Sequence, residues 1–222
     1  MFVTTYSHAR PDKHIFAKNS PPPRNLYLRK EHIARDQSQI LVKPYGGPLS
    51  KTDYRVTYEA GGPLFAISGC RYNQDRKCRE VRDASGLPMF DIHRKAGIGF
   101  FSWVVAMPGT KPSEAIIGKA TPGGFGGSGL MTFWFKCGDE EHTLSLQKHG
   151  HVMTFFDVFQ TSSGRRIGEI RESAPHSQKL ALRQSSHGKC RPAWDIILMP
   201  GLDMALMAAL SVIVSEWHFK TD

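Results

Sequence analysis

The segment that most limits what this chain can fold into is its closing one. After Pro200-Gly201 the chain runs from Leu202 to Trp217 with only Asp203, Ser211, Ser215 and Glu216 polar. Ala, Leu and Met favour helix, and Asp203 places a negative charge at the N-terminal turn, where the helix dipole favours it. The apolar residues cover every face, so the helix needs burial all round. The apolar stretch from Leu202 to Val214 is 13 residues, short of the roughly 20 that a bilayer requires. A protein interior is therefore expected to surround it. The 17 residues from Leu202 to His218 make a rod about 25 Å long at about 1.5 Å per residue, and a strand of seven or eight residues at about 3.3 Å each has the same reach.

Upstream the chain reads as short β runs separated by turn residues. They are Asn25–Arg29, Gln39–Lys43, Tyr54–Tyr58, Leu64–Ser68, Cys78–Val81, Pro88–His93, Phe100–Ala106, Glu114–Ala120, Leu130–Lys136, His142–Gln147, Val152–Phe159, Arg166–Arg171 and Ala193–Leu198. Glu59-Ala60-Gly61-Gly62-Pro63 and Asp83-Ala84-Ser85-Gly86 serve as hairpin connections. About a dozen strands make a tube wide enough for one helix, and closing it removes the sheet edges. The expected fold is thus mainly β, an antiparallel closed barrel of about twelve strands around a buried C-terminal hydrophobic α-helix. Pro21-Pro22-Pro23 cannot lie in a helix or central strand, so residues 1–24 are expected to be an irregular arm and 25–222 the barrel domain.

Lys and Arg number 29 against 20 Asp and Glu, a net charge of +9, which favours anionic partners. The excess is spread along the chain: residues 1–60 carry ten basic and five acidic side chains, and 61–222 carry 19 and 15. Cys70, Cys78, Cys137 and Cys190 are dispersed and lack the density of a disulfide-stapled domain, which suggests a reducing compartment. Met1 to Lys18 has no apolar signal-peptide core. The expected location is cytoplasmic, with the nucleus or the peripheral membrane surface as alternatives, and the expected state is a monomer.

No catalytic constellation emerges. Gly124-Phe125-Gly126-Gly127-Ser128-Gly129 matches G-x-G-x-x-G, but a strand rather than a helix follows it at Leu130, so it reads as an interstrand loop. His142, His149 and His151 lie close in sequence to Asp139, Glu140 and Glu141 without the spacing of a known metal motif, and a solvated hairpin explains them. The cysteines have no His partner at motif spacing. The chain is read as a non-enzyme without metal or cofactor.

Taken in order, Gly62-Pro63-Leu64-Phe65, Ser68-Gly69, the run Arg79-Glu80-Val81-Arg82-Asp83-Ala84-Ser85-Gly86-Leu87-Pro88-Met89-Phe90-Asp91-Ile92-His93-Arg94-Lys95, Trp103, Arg166-Ile167-Gly168-Glu169-Ile170 and Pro200 to Leu210 resemble the LURP-one-related family. That family lies within the superfamily of tubby C-terminal domains and phospholipid scramblases. The resemblance covers roughly residues 38–219 and implies a twelve-stranded antiparallel barrel around a C-terminal helix. Tubby domains bind phosphoinositide headgroups through a basic cluster just after a strand, and Arg94 and Lys95 lie where that cluster would fall. Adjacent strand residues face opposite ways, so at most one of the two can face inward.

A second basic group is Arg71, Arg76, Lys77, Arg79 and Arg82, in which alternation puts Lys77 and Arg79 on one side of a strand and Arg82 on the other. Such a group attracts anionic lipid at about 1 kcal/mol per residue. The expected function is a noncatalytic barrel that binds anionic phospholipid, phosphoinositide headgroups or a protein partner at the cytosolic membrane face. The headgroup candidates are Arg94, Lys95, Arg71, Lys77, Arg79 and Arg82. The alternative is a nucleic-acid-binding or transcription-associated defence protein, which needs bases stacked on aromatics such as Trp103, Phe133, Trp134 and Phe135 beside a basic groove.

Overall fold

The structure is a computed structural model that describes residues 25–45, 53–69, 78–96, 101–110, 114–123, 129–150, 153–176 and 191–219. Twelve strands form the wall: β1 (Ser38–Tyr45), β2 (Asp53–Tyr58), β3 (Pro63–Gly69), β4 (Cys78–Asp83), β5 (Pro88–Ala96), β6 (Phe101–Ala106), β7 (Ile116–Pro122), β8 (Leu130–Cys137), β9 (Glu140–His149), β10 (Phe155–Gln160), β11 (Arg165–Glu172) and β12 (Trp194–Leu198). Each pairs antiparallel with its sequence neighbour, and β12 closes on β1, with Ser38 opposite Leu198 and Val42 opposite Trp194. The wall therefore has no free edge to template aggregation.

Helix α1 (Met204–Phe219) fills the tube. Every residue from Ala205 to Ser215 is shielded from solvent, among Phe90, Trp103, Phe133, Phe135, Phe156 and Trp194 of the wall. Ala205, Ala208 and Ala209 keep the rod thin, and Gly168 of β11 lets it come close: a Cβ there would lie 2.9 Å from Met207 Cε and 3.0 Å from Ile197 O. Burial on all faces replaces the amphipathic stripe of an ordinary helix.

The chain passes from β12 through Pro200-Gly201 into α1, so the helix starts at the Leu198 end of the barrel, here the near end, and finishes at the far end, where Trp194 and Glu172 lie. Asp203 caps the helix. Its Oδ1 accepts the Ala205 N–H at 2.7 Å, and its Oδ2 accepts the N–H groups of Leu28 and Arg29, each at 2.9 Å. Leu26 N–H also donates to Gly201 O, and Ala34 N–H to Leu202 O. Asn25–Arg29 is accordingly not the wall strand its sequence suggests. Leu26 makes only a single bridge to Leu202, followed by a 3-10 turn at Lys30–His32. The twelve strands already close the wall, and the amides of this segment are taken by Asp203 and the turn before the helix, so it plugs the near end instead. Residues 1–24, expected as an arm, lie outside the described residues.

Candidate functional site

The far end of the barrel combines buried polar chemistry with an exposed rim. Strand alternation turns Arg79 and Val81 of β4 and Ile92 and Arg94 of β5 inward, while Cys78, Glu80, Asp91, His93 and Lys95 face outward. Arg79 is nearly fully buried and ion-paired with Glu216 of α1 at 2.8 Å, and Trp103 Nε1–H donates to the same carboxylate at 2.9 Å. Beside them the Tyr54 hydroxyl and Ser215 Oγ are 3.1 Å apart. Burial pushes the Tyr54 pKa up, against the downward pull of the Ser215 hydrogen bond. This layer fixes how deep and in which rotation α1 sits, because a buried charge left without its partner is costly.

Arg79 is thus removed from the expected surface cluster. The alternation was read in the right sense, but the face it shares with Val81 is the barrel interior, and its charge is spent on Glu216. Arg82 remains on the outside, bound to Glu80 at 2.7 Å and to Gly86 O at 2.7 Å. Arg71, Arg76 and Lys77 lie outside the described residues. Arg94 and Lys95 divide as alternation demands. Arg94 lies at the inner lip, its guanidinium 3.8 Å from the centre of the Phe101 ring, and Lys95 faces outward opposite Ser102. At the same end on β1 and β2, Arg55 stacks on Tyr45 at 3.9 Å, and Arg191 lies 5.2 Å from the Tyr54 ring. Tyr45 and Phe101 are 52% and 43% exposed, so the rim offers aromatic rings with cations laid over them.

In the sequence, charge is divided unequally between the connections that join far-end strand termini and those that join near-end termini. The six connections that leave from and return to the far end, residues 46–52, 70–77, 97–100, 123–129, 150–154 and 173–193, contain eight Lys or Arg and one acid, Asp75. Connection 173–193 alone holds Lys179, Arg183, Lys189 and Arg191 with no acid. The near-end connections, residues 59–62, 84–87, 107–115, 138–139, 161–164 and 199–203, contain one cation and four acids. The plug at 25–37 adds three cations and two acids there. A count along the chain hides this, because successive connections alternate between ends.

The aromatics proposed for base stacking are not presented as a platform. Trp103, Phe133 and Phe135 are core residues, and Trp134 on the outer face donates its Nε1–H to Glu141 at 3.1 Å. The histidine group is also dispersed. His142 lies 3.6 Å from Glu140 at one end of β9, and His149 lies 3.3 Å from Asp157 at the other, about 23 Å away at about 3.3 Å per residue; His151 is outside the described residues. Leu130–Cys137 is a strand as expected, so the glycine-rich run ahead of it opens no helix.

Sequence reasoning did not foresee a donor group on the outer wall: Cys78, Asp91 and His93, all buried, with one ligand atom each inside a 4.8 Å set. Cys78 is disulfide-bonded, which departs from the expectation of reduced cysteines. Its partner lies outside the described residues. The legible signal was Asp-x-His at β-spacing, Asp91 and His93; the strand register that brings Cys78 opposite was not visible.

A sequence profile of a family described as LURP-one-related matches residues 40–215. Among solved structures, the X-ray structure of an Arabidopsis thaliana protein superposes with a TM-score of 0.56 at 13% identity, covering 87% of this chain and 98% of that one. No curated protein sequence matches. Among the described residues no helix is long and apolar enough to cross a membrane.

Proposed function

Because the chain belongs to the LURP-one-related family and α1 occupies the barrel interior, we propose that it acts from its outside as a noncatalytic module, docking the far-end rim onto an anionic phospholipid surface. Other barrels of this girth keep a cavity for a ligand; here the side chains of α1 take that volume, which leaves the rims and the outer wall for recognition. The observation that carries the reading is the sequence's charge sorted by topology: eight cations and one acid in the connections between far-end strand termini, against one and four in the near-end connections and three and two in the near-end plug. Exposed Phe101 and Tyr45 with Arg94 and Arg55 over their rings add the amphipathic groups suited to a headgroup layer. Cytosolic leaflets supply the negative potential, at about 1 kcal/mol per basic residue near the surface.

The test is co-sedimentation of the full chain with neutral, phosphatidylserine and phosphoinositide vesicles at two salt concentrations, beside a single-stranded DNA arm. Binding to anionic vesicles that falls as salt rises is expected, because screening removes the attraction. Equal binding to neutral vesicles, or tighter binding to DNA than to any vesicle, overturns the reading.

A further inference from the structure

We propose that Cys78, Asp91 and His93 form a zinc site on the outer wall of the barrel, one that becomes available only when the Cys78 disulfide is reduced. The inference is independent of the lipid-docking reading. It starts from register: β4 and β5 set Cys78 directly opposite His93, and Asp91 stands two residues back on the same face of β5. Opposed cross-strand residues and i, i+2 residues share a face, so three donor types converge without any loop having to supply them. Although the face is the outer one, Cys78 and His93 are each 1% exposed and Asp91 7%. The neighbouring outward residues Val104 and Ala106 of β6 are buried too.

Distances fit zinc. Zinc–sulfur and zinc–nitrogen bonds of about 2.3 and 2.0–2.1 Å in a tetrahedron put the two ligand atoms about 3.6 Å apart, and Cys78 Sγ lies 4.0 Å from His93 Nε2. Once the disulfide is reduced, the Cys78 side chain is released to turn through the remaining distance of about 0.4 Å. Gly109 N–H, from the β6–β7 connection, donates to Asp91 Oδ2 at 3.1 Å, orienting the carboxylate as outer-shell donors orient metal ligands. A thiolate, an imidazole and a carboxylate suit zinc, whereas calcium and magnesium take all-oxygen sets. The two anionic ligands neutralise the dication, which lowers the cost of burying it. Three protein ligands leave the fourth position to water.

A sulfur in a disulfide is not a thiolate, so oxidation and metal exclude each other. Reduction by a dithiol transfers two electrons and two protons to the Cys78 disulfide, gives two cysteine thiols and leaves the reductant as its own disulfide. Zinc then binds Cys78 sulfur, and the thiol proton goes to solvent.

The experiment titrates cobalt(II), then zinc, into the full chain before and after dithiol reduction and desalting, reading the thiolate-to-cobalt absorption band and metal content. The reduced chain is expected to bind one cobalt with a thiolate band that zinc abolishes, and the oxidised chain to show no such band. Cys78→Ser should lose the band, and Asp91→Asn and His93→Gln, which remove ligands outright, should each weaken binding by at least the roughly 10–100-fold that losing an outer-shell partner costs. A reduced chain without the band, an oxidised chain that binds equally, or a band that persists in Cys78→Ser overturns the proposal. Thermal unfolding checks each variant. Should Cys78→Ser not fold, the oxidised-against-reduced comparison and His93→Gln decide the matter.

Discussion

Asp203 satisfies three backbone amides with one carboxylate, tying the helix start to the plug across the near end. Burial pushes its pKa up while the amides of Arg29, Ala205 and Leu28 pull it down. Asp203→Ala strands those donors, at about 1–3 kcal/mol each where they stay dry, so a loss of about 3 kcal/mol or more is expected in urea unfolding. A loss below about 1 kcal/mol would mean that the plug detaches readily and water takes over. Arg79 and Glu216 show the same logic with full charges. Removing one partner should cost about 3–5 kcal/mol, and the apolar double variant Arg79→Met with Glu216→Leu should unfold at higher denaturant than either single variant; an additive double loss would contradict the pairing. At the β4–β5 turn, Asp83 Oδ1 accepts from Ser85 Oγ, Ser85 N–H and Leu87 N–H. The Ser85 hydroxyl bond, chief among these, lowers the Asp83 pKa. Its stabilisation is therefore present above the ordinary Asp range and is lost as pH falls through the depressed folded value. NMR titration should find the midpoint below that of free Asp, and Ser85→Ala should move it back up; an ordinary midpoint in the native chain would show that the turn does not hold.

At the scale of elements, close approach between α1 and the wall rests on small residues facing large ones. Gly168→Ala pushes a methyl into Met207 and the Ile197 carbonyl, an overpacking expected to cost about 1–3 kcal/mol. Leu210→Ala leaves a cavity at a fully buried site, expected to cost about 2–5 kcal/mol. A Gly168→Ala chain as stable as its parent would mean that the helix is not pressed against β11. Twelve of the thirteen β runs read from the sequence are wall strands, because alternation and turn residues are local signals. Asn25–Arg29 carries the same local signal. What sets it apart is a long-range fact, that Asp203, 174 residues beyond Arg29, takes its amides, and no local pattern records that. Strand alternation likewise separated Arg79 from Arg82, but which face was inside depended on Glu216 lying across the interior.

For the whole molecule, a closing helix with apolar residues on every face was enough to call for a tube, since only a closed wall keeps such a rod dry on every side. The candidate rim was less legible. Net charge was plain in the composition, but its uneven division between the two sets of connections appears only when they are sorted by the strand termini they join. The Cys78, Asp91 and His93 group needed the β4–β5 register for the same reason. Charge polarity is the claim on which the functional reading stands, and matched charge reversal tests it most directly. Lys179, Arg183 and Lys189 changed to Glu at the far end are compared, on phosphatidylserine vesicles, with Lys30, Arg35 and Lys111 changed to Glu at the near end. Both variants lose the same net charge. Removal of three basic contacts predicts about a hundredfold or greater weakening for the far-end variant and near-native binding for the other, whereas equal weakening of both, or none in either, would contradict the account.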